Sequence, residues 1–62
     1  MPYVEVKAFE SRFADEAVAE RLIAAVTDAI CDVFGEGVRD QTWVVVEGVP
    51  ERHWGFGGKA RG

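Results

Sequence analysis

The chain has 62 residues and a formal net charge of −4, from seven basic and eleven acidic side chains. This charge argues against nucleic acid and anionic membranes as partners, and any anionic substrate would need a local cationic group. A single cysteine and a single histidine exclude an internal disulfide and argue against zinc, which takes at least three protein ligands.

The first predicted element is a strand over residues 2–9, PYVEVKAF. Its two faces are Val4, Val6 and Ala8 on one side and Tyr3, Glu5, Lys7 and Phe9 on the other. Pro2 has no backbone N–H and is tolerated at a strand start. A chemical interpretation is also open, because removal of Met1 ahead of a small residue would leave a secondary amine able to act as a base or a nucleophile.

A helix is predicted over residues 15–34, after a loop at residues 10–14. Asp15 is the expected N-cap and Gly35 the expected stop. An apolar stripe recurs at helical spacing through Val18, Leu22, Ala25, Val26, Ala29 and Val33, and Ile23, Ile30 and Phe34 widen it to about half the circumference. That width indicates a second surface to cover. Cys31 is assigned to the polar side of the helix and is taken as inert.

After a connection at residues 36–41, TWVVVE is predicted to be a second strand. Trp43 and Val45 share one face, and Val44 and Val46 share the other. Apolar side chains on both faces are typical of a strand that is buried on both sides. One helix covers only one side of a two-stranded sheet, so the other side is expected to meet another copy of the chain.

GVPER reads as a turn, and HWGFGGKARG reads as a closing turn or short hairpin. The expected fold is therefore α/β: a single domain over residues 1–62, formed by one βαβ unit with parallel strands and a right-handed crossover. So small a unit has too few strands and too little core to be stable alone, so we expect a homo-oligomer. No long apolar run or secretory segment is present, so we expect a cytoplasmic protein.

MPYVEV at the start and VVVEGVPERHWGFGG near the end, in a βαβ chain of this length, resemble the 4-oxalocrotonate tautomerase family of the tautomerase superfamily. The resemblance covers almost the whole chain. It implies an isomerase without a cofactor, in which Pro2, freed of Met1, is the general base acting on a small keto or enol acid. It also implies assembly through the sheets into dimers and into a hexamer that is a trimer of dimers.

A base must be largely unprotonated near neutral pH. A free α-amino group has a pKa of about 7.7–8.0, and the secondary amine of proline lies higher. Apolar walls and nearby cations lower the pKa of such an amine. The resemblance implies that Trp54, at the position of an aromatic residue in the family, supplies an apolar wall for Pro2.

Two family arginines act on the substrate. The first falls on Arg12 when residues are counted from Pro2, and on Ala14 when they are counted back from the helix. The second falls on Trp43, so that cation is absent. Candidate replacements are Arg39, Arg52 and His53, among which the sequence does not choose. We therefore expect a monocarboxylate, or a substrate whose apolar end lies against Trp43 and Trp54, rather than a dicarboxylate.

Other functions stay open. A hydratase, dehalogenase or decarboxylase of the same superfamily would add a carboxylate to activate water, and the sequence offers no clear candidate for it beyond Glu10 and Glu47. A non-catalytic oligomeric ligand-binding protein is the alternative from another class, and retention of Met1 would favour it. Arg12 would then be a solvated loop residue, and Trp43 and Trp54 would be packing residues.

Overall fold

Two seven-residue strands and one long helix make up most of the chain in this computed structural model, which describes residues 1–61. The strands and helix are β1 (Tyr3–Phe9), α1 (Glu16–Phe34), β2 (Trp43–Val49), β3 (Gly55–Phe56) and β4 (Lys59–Ala60). Short 3-10 turns at Glu10–Phe13, Glu36–Gln41 and Glu51–His53 connect them. The predicted order of strand, helix, strand and closing hairpin is confirmed, and β2 runs two residues beyond its predicted end.

The strands β1 and β2 pair in parallel, as predicted, with Tyr3 opposite Trp43 at one end and Phe9 opposite Val49 at the other. The strands β3 and β4 pair antiparallel. Gly57 and Gly58 lie between them with φ of 61° and 86°, a left-handed backbone that glycine adopts without strain. The closing hairpin therefore depends on these two glycines.

The ends of α1 lie where the capping residues predict them. The Asp15 side chain accepts a hydrogen bond from the Ala17 N–H at 2.9 Å, which satisfies one of the free donors at the helix start. At the other end Gly35 takes φ of 96°, and its N–H donates to the Cys31 carbonyl at 2.7 Å. No helix in residues 1–61 is long and apolar enough to cross a membrane.

The buried side of the helix coincides only in part with the predicted stripe, of which Leu22 and Val26 are half-buried. Cys31, assigned to the polar side, is only 3% exposed, whereas Val33 of the predicted stripe is 76% exposed. The turn at Glu36–Gln41 packs against α1, as β2 does, so the helix has a second contact besides the sheet. Thr27 tolerates its position in the helix because its hydroxyl donates to the Ile23 carbonyl at 2.8 Å. The second apolar surface of the helix is thus left open around Val33.

A single chain removes very few side chains from solvent. Cys31 is the only residue among positions 1–61 that is fully buried. The sheet face formed by Val4, Val6, Val44 and Val46 is half-buried. The opposite face, which we call the open sheet face, carries Tyr3, Trp43 and Val45, and the last two are 57% and 45% exposed. Both faces of β2 are therefore apolar, as predicted, and one of them is uncovered in the isolated chain.

The turn at Glu10–Phe13 packs closely against β2 at Gly48. A Cβ at residue 48 would lie 3.0 Å from the Glu10 Cα and 3.0 Å from the Phe13 ring. Because a backbone atom cannot rotate away, we expect Gly48→Ala to lower the free energy of unfolding by about 1–3 kcal/mol, measured by urea denaturation. Gly37→Ala is the matched control, since nothing lies within 4 Å of its Cβ position. Equal midpoints for the two variants would contradict this packing.

Candidate functional site

Pro2 and Trp43 lie together at the end of the sheet where both strands begin. The Trp43 N–H donates to the Pro2 carbonyl at 3.0 Å, so the main chain of Pro2 is anchored to the strand ladder. Pro2 is half-buried and Met1 is exposed. With Met1 attached, the Pro2 nitrogen is an amide without a basic lone pair. After removal of Met1, the same nitrogen would be a secondary amine at the end of the sheet where β1 begins.

Trp54 lies at the other end of the sheet. Its indole N–H donates to the Val49 carbonyl at 3.2 Å, and its ring meets the Phe9 ring edge to face, with 5.1 Å between centroids and an interplanar angle of 70°. Phe9 and Val49 are the last residues of β1 and β2. The hydrogen bond and the ring contact together fix Trp54 at this end.

Arg61 completes an aromatic–arginine cluster with Phe9 and Trp54. Its guanidinium carbon lies 4.7 Å from the centre of the Phe9 ring. Its backbone N–H donates to the Trp54 carbonyl at 2.7 Å, and its Nε lies 3.2 Å from a Glu51 carboxylate oxygen. No motif or spacing in the sequence marks Arg61 as a site residue. The one sequence signal for Arg61 is its position just after the glycine hairpin, because that hairpin folds the chain back towards the aromatic residues.

One chain does not bring Pro2 and Trp54 together. Pro2 precedes β1, whereas Trp54 contacts the last residue of the same strand. Seven residues at about 3.3 Å each separate the two by about 23 Å along the strand direction. An apolar wall beside Pro2 made by Trp54 therefore requires Trp54 of a second copy.

A cleft of about 790 Å³ opens at the Trp54 end of the sheet. It is lined by Glu10, Ser11, Phe13 and Ala14 on one side and by Pro50, Glu51 and Arg52 on the other. Arg12 lies in the turn that forms the first side and is exposed. Arg12 and Arg52 are therefore at the same end as Trp54 and away from Pro2 of their own chain.

Arg39 is already engaged by carboxylates. Its Nε lies 2.9 Å from Glu36, and its Nη1 lies 3.0 Å from Asp28. The hydrogen bonds to Glu36 and then to Asp28 hold the pKa of the Arg39 guanidinium above its usual range. Of the cations considered as replacements near Trp43, Arg39 is thus poorly suited to accept a substrate carboxylate.

The carboxylates considered for water activation also have defined surroundings. Glu47 lies 3.1 Å from the Lys7 ammonium, and this hydrogen bond raises the pKa of Lys7. Glu10 lines the cleft. His53 is exposed in the turn before Trp54. No group of three or more His, Cys, Asp or Glu side chains placed to hold a metal ion occurs in the described part of the chain.

Comparison with known proteins gives one match. A family model described as "Tautomerase enzyme" matches residues 2–62. The match begins at Pro2 and includes β1, α1, β2 and the closing hairpin. No curated protein and no solved structure matches the chain significantly.

Proposed function

The chain belongs to the tautomerase family, and from this premise we propose that it is a tautomerase that works without a cofactor. The Pro2 amine, freed by removal of Met1, is the general base. The substrate is a small unsaturated 2-keto acid, which the enzyme interconverts between its enol and keto forms. The observation that carries the proposal is the placement of Pro2: half-buried, anchored through its carbonyl to Trp43, and preceded by an exposed Met1.

The reaction needs one group that both accepts and returns a proton. The Pro2 nitrogen takes the proton from the enol hydroxyl, and the electron pair of the broken O–H bond forms the new carbonyl. The electron pair of the C=C bond then takes a proton from the prolinium at carbon. The substrate is neither oxidised nor reduced, and the carbonyl and carboxylate of the substrate stabilise the negative charge of the intermediate.

The proposed site is shared between copies of the chain. Pro2 and Trp43 come from one copy, and Trp54 comes from another, because about 23 Å separate the two ends of the sheet. The scarcity of buried residues and the exposed Trp43 and Val45 support assembly through the open sheet face. By the family resemblance, we propose a hexamer built as a trimer of dimers.

Arg12 is proposed to bind the substrate carboxylate. A hydrogen bond to a charged group contributes roughly 1.5–3 kcal/mol, or about 10–150-fold. We therefore expect Arg12→Ala to lower kcat/KM for phenylenolpyruvate by up to that factor, mainly by raising KM. Arg52→Ala is the control, since Arg52 is a second cation at the same end. An unchanged kcat/KM in Arg12→Ala would exclude Arg12 and favour the alignment in which the family arginine falls on Ala14.

Because Trp43 occupies the position of the second family arginine, we expect the enzyme to prefer a monocarboxylate substrate to a dicarboxylate. An aromatic monocarboxylate is proposed to lie against the edge of the Trp43 indole beside Pro2, whereas the second carboxylate of a dicarboxylate finds no partner there. We expect kcat/KM for phenylenolpyruvate to be at least equal to that for 2-hydroxymuconate, measured by ultraviolet absorbance. A strong preference for 2-hydroxymuconate would show that another cation serves its second carboxylate.

The function itself is tested by an intact mass of the natively expressed protein together with the enol-acid assay. We expect the mass of the chain without Met1, and isomerisation of phenylenolpyruvate well above the rate in buffer. A protein that keeps Met1 and leaves both enol acids unchanged would instead be a ligand-binding member of the family.

A further inference from the structure

Arg61 is held in one orientation by contacts to both its backbone and its side chain. The backbone N–H donates to Trp54 at 2.7 Å, and the guanidinium carbon lies 4.7 Å from the Phe9 ring centre. A guanidinium that lies over a ring turns its face to the ring, so its in-plane N–H groups can donate hydrogen bonds, as Nε–H does here to Glu51. Such in-plane groups match the two oxygens of a carboxylate. Arg61 thus presents its planar guanidinium N–H donors beside the rings of Phe9 and Trp54.

The present partner of Arg61 can be exchanged. Nε lies 3.2 Å from Glu51, and both side chains are about half-exposed. Surface ion pairs of this kind contribute little to stability. Glu51 also lines the cleft of about 790 Å³. Arg61 adjoins the cleft through its ion pair with Glu51, so a carboxylate that reaches the Glu51 side of the cleft can replace Glu51 on Arg61. Arg39, in contrast, is held by two carboxylates at 2.9 and 3.0 Å.

We propose that Arg61 is a carboxylate-binding residue of the active site, with Glu51 occupying it when substrate is absent. This inference rests on the proposed function and deepens it. The chain carries a net charge of −4, so an anionic substrate needs a local cation, and Arg61 supplies one where Phe9 and Trp54 offer apolar surface to the adjoining carbon atoms. A carboxylate has about four lone-pair sites, so Arg12 and Arg61 can share it.

The test compares an acid with its ester. Wild type, Arg61→Ala and the control Lys59→Ala, which removes a cation from the same hairpin, are assayed on phenylenolpyruvate and on its methyl ester. We expect Arg61→Ala to lower kcat/KM for the acid by about 10–100-fold and to leave the ester within about twofold. Lys59→Ala should match wild type on both. Equal losses on acid and ester, or no loss on the acid, would overturn the proposal.

Two further variants separate charge from packing. Glu51→Gln removes the competing carboxylate and is expected to lower KM for the acid. Arg61→Lys keeps the charge without the fork and is expected to recover only part of the lost activity. A Glu51→Gln protein with a higher KM would mean that Glu51 orients Arg61 and does not compete with the substrate.

Binding of 3-phenylpropionate, followed by tryptophan fluorescence, gives a measurement that needs no turnover. We expect Arg61→Ala to weaken binding about tenfold or more, with Lys59→Ala unchanged. If wild type isomerises neither substrate, the proposed function fails, while a binding loss confined to Arg61→Ala would still establish Arg61 as a carboxylate-binding residue. Equal binding by both variants and wild type would overturn that role.

Discussion

A protein that keeps one or more residues in front of Pro2 is expected to lose about 10²–10⁴-fold in kcat/KM for phenylenolpyruvate, the usual contribution of a general base. The physical reason is that an acylated proline nitrogen is an amide, whose lone pair is delocalised into the carbonyl. The anchoring bond from the Trp43 N–H to the Pro2 carbonyl is untouched, so the sheet should form as before. The measurement is a steady-state assay with the N-terminus defined by intact mass.

A cleavable leader placed before Pro2 makes the comparison within one preparation. The uncleaved protein is assayed first, and the same material is assayed again after the leader has been removed up to Pro2. Circular dichroism and sedimentation should be the same for both forms. Activity that is equal before and after cleavage would show that Pro2 is not the base.

The second large effect is expected from Val45→Glu on the open sheet face. Val45 is 45% exposed in the single chain and lies opposite Glu5 in the ladder. Burial of a valine side chain contributes about 1.5–3 kcal/mol, and a two-fold interface contains it twice. Because Val45 is already about half-buried in the single chain, the two copies together gain about 1.5–3 kcal/mol on assembly. The dissociation constant should therefore rise by at least roughly 10–150-fold, before the cost of bringing like charges together is added. Sedimentation velocity at micromolar concentration measures this shift towards monomer.

Ala17→Glu is the matched control for Val45→Glu. It adds the same charge at an exposed position in the first turn of α1, where an acidic side chain is favourable. We expect it to assemble and to isomerise enol acids like wild type. If Val45→Glu also stays fully assembled at micromolar concentration, the open sheet face is not an interface between copies.

Val45→Glu also tests whether the active site is shared. It leaves Pro2, Arg12 and Trp54 in place but should separate Pro2 of one copy from Trp54 of another. We expect kcat/KM to fall together with the fraction of assembled protein and to recover at higher protein concentration. A fully active monomer would show that Pro2 needs no second copy.

Periodicity made most of the fold predictable. The alternation in residues 2–9, the apolar run in residues 43–46, the capping pair Asp15 and Gly35, and the glycines before Lys59 are local signals, and the structure follows each of them. The parallel pairing of β1 and β2 followed from their connection through a helix. That pairing brings Pro2 and Trp43 together. Pro2 directly precedes β1, Trp43 begins β2, and parallel strands begin at the same end of the sheet.

The sequence by itself determined the order of elements, the two apolar faces of β2, the place of Pro2 at a strand start and the family, because these depend on spacing along the chain. Only the tertiary structure decided which side of α1 is buried, since the contacts of the helix with β2 and with the turn at Glu36–Gln41 are not contained in helical periodicity. The folded chain also decided that Trp54 lies a full strand length from Pro2 and that Arg61 stacks on Phe9. The Arg61 contact joins residues 52 positions apart, which pattern reading along the chain does not detect.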